Sequence, residues 1–97
     1  MKGYWVVLGG DVTDPDSQKQ YGALWAPIAE KYQAKLKVLD AKTVLAEALD
    51  TQRVLLVEFP SLDAAKACYA DSAYQEAKAV ALKAYRRELL IVEGDFA

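Results

Sequence analysis

One carboxylate stands inside an otherwise apolar run: Glu58, within Val54-Leu55-Leu56-Val57-Glu58-Phe59. Removing a carboxylate from water is costly, so a glutamate placed there must be paired or carry a raised pKa. Two readings follow. Glu58 is a general base or ligand anchor in a pocket wall, or it is structural, ion-paired with Arg53, Arg86 or Arg87 or reaching water at the end of the sheet. The second chemistry-bearing set is aromatic: Tyr4, Trp5, Tyr21, Trp25, Tyr32, Tyr69, Tyr74 and Tyr85. At helical spacing such rings most often build a core, although buried hydroxyls must still find hydrogen-bond partners.

Several chemistries are excluded by composition. The chain has no histidine. The Ser-His and Cys-His nucleophile pairs, histidine metal sites and proximal-histidine haem ligation are therefore absent. The one cysteine, Cys68, cannot form an intrachain disulfide and reads as a small buried apolar residue on a helix. Metal-ligand spacing is missing. Gly9-Gly10 is not a phosphate loop, because no dinucleotide or Walker spacing follows it. The next helix also opens with Asp14 and Asp16, which repel phosphate. The expectation is that any activity needs no metal, haem or flavin. A net charge of -2 and a pI near 5.0 argue against nucleic acid, whose binders carry a basic stripe. No secretory signal or membrane-spanning stretch is visible, which makes a cytoplasmic setting the expectation.

The elements that must position these residues follow from periodicity. Tyr4 to Leu8 reads as a first strand. Asp14 is an N-cap with Pro15 at the first helical position. The helix that follows carries Tyr21, Leu24, Trp25, Ile28, Ala29 and Tyr32 on one apolar face, and Pro27 is expected to bend or divide it. Lys35 to Leu39 is a second strand. Residues 40–52 are ambiguous: Val44 to Leu49 has helix-forming composition, and a strand or turn is the preferred reading. Val54 to Phe59 is a third strand, stopped by Pro60. Ser61 caps a helix to Ser72, which resumes from Tyr74 to about Tyr85 after a break near Ser72-Ala73. Leu89 to Glu93 is a fourth strand.

The order β-α-β-β-α-β with right-handed crossovers gives one domain over residues 1–97. It is an α+β, ferredoxin-like, four-stranded antiparallel sheet with its helices on one face. The first, third and fourth strands are apolar on both faces, whereas a sheet with one wet face alternates. Helices cover only one side, and a contiguous apolar patch on the other is what soluble monomers avoid. A second copy of the sheet, related by a two-fold axis, is the expected cover. The alternate set that points into this interface, holding either Val6 or Val57, is left open.

Four segments resemble the bacterial family described as domain of unknown function 1330: Met1-Lys2-Gly3-Tyr4-Trp5-Val6-Val7, Asp11-Val12-Thr13-Asp14-Pro15, Phe59-Pro60-Ser61 with Tyr69, Ser72 and Tyr74-Gln75, and Ile91-Val92-Glu93-Gly94. The resemblance implies a dimeric α+β barrel, a superfamily that includes cofactor-free monooxygenases and lactone isomerases. In such monooxygenases a cavity between helices and sheet holds a flat organic substrate, and Tyr21 and Trp25 lie on the helix face that would line it. Tyr69 and Glu58 join them as pocket candidates, Glu58 also as the candidate catalytic residue. The family commonly has arginine where this chain has Ala81; if that arginine binds an anionic ligand in relatives, this chain has lost it or uses Arg86 or Arg87 instead, and Arg86 is the further pocket candidate. A Gly-Gly pair usual after the second strand is here Asp40-Ala41. The preferred reading is a dimeric ligand-binding or accessory module. The alternative is a cofactor-free small-molecule enzyme of monooxygenase or isomerase type. A packed space beneath Tyr21 and Trp25 favours the first, and a cavity with convergent polar groups the second.

Overall fold

Capping chemistry sets the helix starts where the sequence places them. The Asp14 carboxylate accepts from the Ser17 N–H at 3.2 Å and from the Ser17 hydroxyl at 2.7 Å. Ser61 Oγ accepts from the Ala64 N–H at 3.1 Å. Each satisfies a donor that the first helical turn leaves free. The computed structural model describes residues 1–37 and 44–95. Its elements are β1 (Lys2–Gly9), α1 (Pro15–Lys31), β2 (Lys35–Lys37), β3 (Arg53–Phe59), α2 (Leu62–Ala70), α3 (Ser72–Ala84) and β4 (Arg87–Gly94).

Of the bend or division expected at Pro27, division does not occur: α1 runs from Pro15 to Lys31 as one element. The lost bond would have gone to the Ala23 carbonyl; Ala23 and Pro27 are both exposed, so water can satisfy that carbonyl. The break between the second pair of helices falls at Asp71, just before Ser72-Ala73. Asp71 serves both sides: its N–H donates to the Cys68 carbonyl at 3.2 Å, and its carboxylate accepts from the Ala73 N–H at 2.8 Å. Residues 44–52 form neither helix nor strand, despite the helix-forming composition of Val44 to Leu49. Residues 38–43, which hold the expected end of the second strand, Asp40-Ala41 and the start of the ambiguous stretch, lie outside the described residues.

The sheet order is β2-β3-β1-β4, antiparallel throughout. Register decides which residues share a face, because directly opposed side chains point the same way. Trp5 opposes Val57 and Ile91, while Val6 opposes Leu56 and Leu90. The first row carries the ring contacts to Trp25 of α1, Tyr69 of α2 and Tyr74 of α3, so it faces the helices. Val6, Leu8, Val54, Leu56, Leu90 and Val92 therefore occupy the opposite face. This resolves the choice between Val6 and Val57: Val57 belongs to the helix-side core at 6% exposure. Gly3 lets α2 sit close on β1, since a Cβ there would press on the Ser61 carbonyl oxygen and lie 2.7 Å from Leu62 Cα.

Candidate functional site

Trp5 is the hub of the helix side. It is 1% exposed, and its indole N–H donates to the Ala65 carbonyl at 3.0 Å. Around it stand Tyr74 (4.8 Å between ring centroids), Phe59 (5.0 Å), Trp25 (5.4 Å) and Tyr69 (5.9 Å). Tyr74 is fully buried, and its hydroxyl has two polar neighbours. Arg87 Nη2 donates to it at 2.7 Å, and the Tyr21 hydroxyl lies 3.2 Å away. The Arg87 guanidinium sits 5.5 Å from the Tyr21 ring centroid, a cation–π arrangement. Tyr21 and Trp25, one helical turn apart, hold their rings within 5° of parallel at 6.4 Å. Burial pushes the Tyr74 phenol far above its ordinary range, opposed in part by Arg87, so it stays neutral. Burial likewise pushes the Cys68 thiol up to about 12, which keeps it protonated and unreactive.

Of the pocket candidates, Tyr21, Trp25 and Tyr69 come together here. Arg86 does not join them: its side chain is 85% exposed and pairs with Asp50 at 3.3 Å. Its neighbour Arg87 points inward instead. The sequence did carry that signal, because strand alternation places Arg87 with Leu89 and Ile91 on the face opposed to Val7 and Trp5.

Glu58 is on the other face of the sheet. It is 5% exposed, and its partners are lysines, not the arginines that the sequence suggested. Lys2 Nζ donates to one carboxylate oxygen at 2.9 Å, and Lys37 Nζ lies 3.8 Å from the other. That second oxygen is buried and has no hydrogen-bond partner among the described residues. The Lys2 hydrogen bond, working against desolvation, holds the Glu58 carboxyl below the usual glutamate range. Glu58 is thus an ionised member of a basic cluster.

The space beneath Tyr21 and Trp25 is filled by Trp5 and Tyr74. Two clefts lie elsewhere. One, of about 510 Å³, runs from Leu8 and Val54 to the segment 44–51. The other, of about 310 Å³, is a surface groove between α1 and the α2–α3 junction, lined by Leu24, Pro27, Ile28 and Asp71. Among the described residues no three His, Cys, Asp or Glu side chains gather as a metal site. No described helix is long and apolar enough to cross a membrane.

Topology and register define a ferredoxin-like α+β protein. The chain belongs to the family described as domain of unknown function (DUF1330), whose model matches residues 2–95. Solved structures share the fold. A protein of unknown function from Rhodopseudomonas palustris is 20% identical over 99% of this chain and 84% of that one, with a TM-score of 0.61. SnoaB, a cofactor-independent oxygenase from Streptomyces nogalater, is 12% identical over 99% of this chain and 95% of that one, with a TM-score of 0.61. A dimeric protein of unknown function and ferredoxin-like fold from Bacteroides fragilis is 13% identical over 96% of each chain, with a TM-score of 0.52. At these identities the likeness is one of fold. No curated protein matches the sequence.

Proposed function

We propose that this protein is a homodimeric, non-catalytic ligand-binding or accessory module whose two sheets face each other to close an α+β barrel. The observation that carries the reading is the helix-free sheet face. Leu56, Val6 and Leu90 form a continuous apolar row across three strands, flanked by Val54, Leu8 and Val92. Leu90 is 47% and Val54 41% exposed in the single chain. Such a patch is the kind that assembly covers. The Bacteroides fragilis structure of like fold is described as dimeric, which agrees.

The non-catalytic half of the reading rests on the helix side. Rings occupy the volume a substrate would need. The groups that could carry protons are poorly set for it near neutral pH: the Tyr74 phenol is held up, the Cys68 thiol is held up and the Glu58 carboxyl is held down. The cofactor-free enzyme reading draws on the SnoaB-like fold and on the meeting of Arg87, Tyr21 and Tyr74. It would need those rings to move apart. A reduced, cytoplasmic setting without nucleic acid belongs to the same proposal, given one buried cysteine and the acidic net charge.

Light scattering at micromolar protein tests the assembly, with the mass of two chains expected and a monomer mass overturning it. Native mass spectrometry of the purified protein tests ligand retention.

A further inference from the structure

We infer that Arg87, framed by Tyr21, Tyr74 and Trp25, is a docking point for a small monocarboxylate with an apolar or aromatic body. The proposal rests on the ligand-binding reading above and names its ligand class. Arg87 is partly buried, and its contacts among the described residues are the Tyr74 hydroxyl and the Tyr21 side chain. No described carboxylate pairs with it, whereas Glu58, the buried charge on the opposite face of the sheet, is matched with lysines. A partly desolvated guanidinium without a counter-ion is an electrostatic deficit that an anion relieves.

Geometry selects the anion. Arg87 is only partly buried, so its guanidinium is not closed off from solvent. A planar guanidinium fork matches a carboxylate in bidentate fashion. The Tyr74 contact on Nη2 and the Tyr21 ring fix the fork in place, so little is lost in ordering it. The next arginine on that row of the sheet, Arg53, is turned onto the Tyr85 ring at 4.6 Å, which leaves a single fork for the ligand and favours a monoanion. The partly buried Tyr21 and Trp25 rings offer an apolar wall for the ligand's body. Since Trp5 and Tyr74 close the volume beneath, the carboxylate docks at the rim and needs no enclosed cavity.

The test titrates the full chain with sodium benzoate, with benzamide as the neutral isostere and sodium sulfate at matched ionic strength. Tryptophan fluorescence and the Arg87 side-chain N–H resonance are followed. Benzoate should give a saturable response that shifts that resonance, benzamide should bind at least roughly tenfold more weakly, and sulfate should not displace benzoate. Arg87→Gln should weaken benzoate by roughly tenfold or more, while Arg86→Gln leaves it unchanged. Should Arg87→Gln fail to fold, Arg87→Lys, which keeps the charge and loses the fork, should still weaken it. Absence of saturation, equal binding of benzamide, displacement by equimolar sulfate, or an unshifted Arg87 resonance would each overturn the assignment. Light scattering on the same samples separates the two proposals. A dimer that ignores benzoate removes the carboxylate site and leaves the barrel; a monomer that binds benzoate through Arg87 does the reverse.

Discussion

Leu90→Lys probes the proposed barrel where the single chain is least covered. Leu90 lies beside Val6, which lies beside Leu56, so a charge there interrupts the apolar row across the sheet. Full burial of a leucine side chain contributes about 1.5–3 kcal/mol. Leu90 is 47% exposed before assembly, so roughly half of that, about 1 kcal/mol, remains to be gained per chain. Two-fold symmetry doubles every substitution, giving a loss of about 2 kcal/mol, or roughly 30-fold in dissociation constant, from the lost leucines alone. Stripping water from two unpaired ammonium groups adds several kcal/mol more. Dissociation should therefore appear at micromolar protein. The monomer should keep its fold, because a half-exposed lysine can run its stem along the sheet and hold its head in water. Leu82→Lys is the control: Leu82 is 55% exposed on α3, away from this face, and should leave the dimer intact. Multi-angle light scattering across a dilution series, with near-ultraviolet circular dichroism for the fold, reads both outcomes. A Leu90→Lys protein as dimeric as the parent would refute the assigned face.

Three further outcomes concern the single chain. Gly3→Ala should lower stability by about 1–3 kcal/mol in denaturant unfolding, because the new methyl meets the backbone of Ser61 and Leu62 and not a side chain able to swing away. Asp71, held down to about 2 chiefly by the Tyr32 hydroxyl (2.5 Å) and Lys31 (2.9 Å), makes stability pH-dependent. Its folded pKa lies below its unfolded value, so its contribution is complete above about pH 4 and is lost as pH falls toward 2. Asp71→Asn should flatten thermal midpoints measured over that window, and an unchanged pH dependence would count against the arrangement. Glu58 should titrate below the ordinary glutamate range in a carbon-detected experiment, and Lys2→Met should raise its pKa. A Glu58 pKa above the ordinary value would instead support the pocket-wall role and argue against the lysine pairing.

Much of this protein is local in origin, and local features are legible in sequence. Asp14 and Ser61 set helix starts by accepting from donors that any helix leaves free, and the break expected near Ser72-Ala73 falls at Asp71. The two-sided apolar strands indicated a second cover for the sheet, because alternation reports how many faces are dry. Of the bend or division expected at Pro27, the continuous α1 excludes the division. What only the tertiary structure decided is pairing across distance. The register that opposes Trp5 to Val57 and Val6 to Leu90 assigned the faces, and a one-residue slip would have exchanged them. The same register put Glu58 beside Lys2, 56 residues away, and the arginines expected to neutralise it elsewhere. Arg86 and Arg87 are adjacent and chemically identical, yet strand alternation sends one to solvent with Asp50 and the other to Tyr74. Sequence order supplies both cations, and only the placement of α1 and α3 over the sheet gives one of them an aromatic setting of Tyr21 and Tyr74.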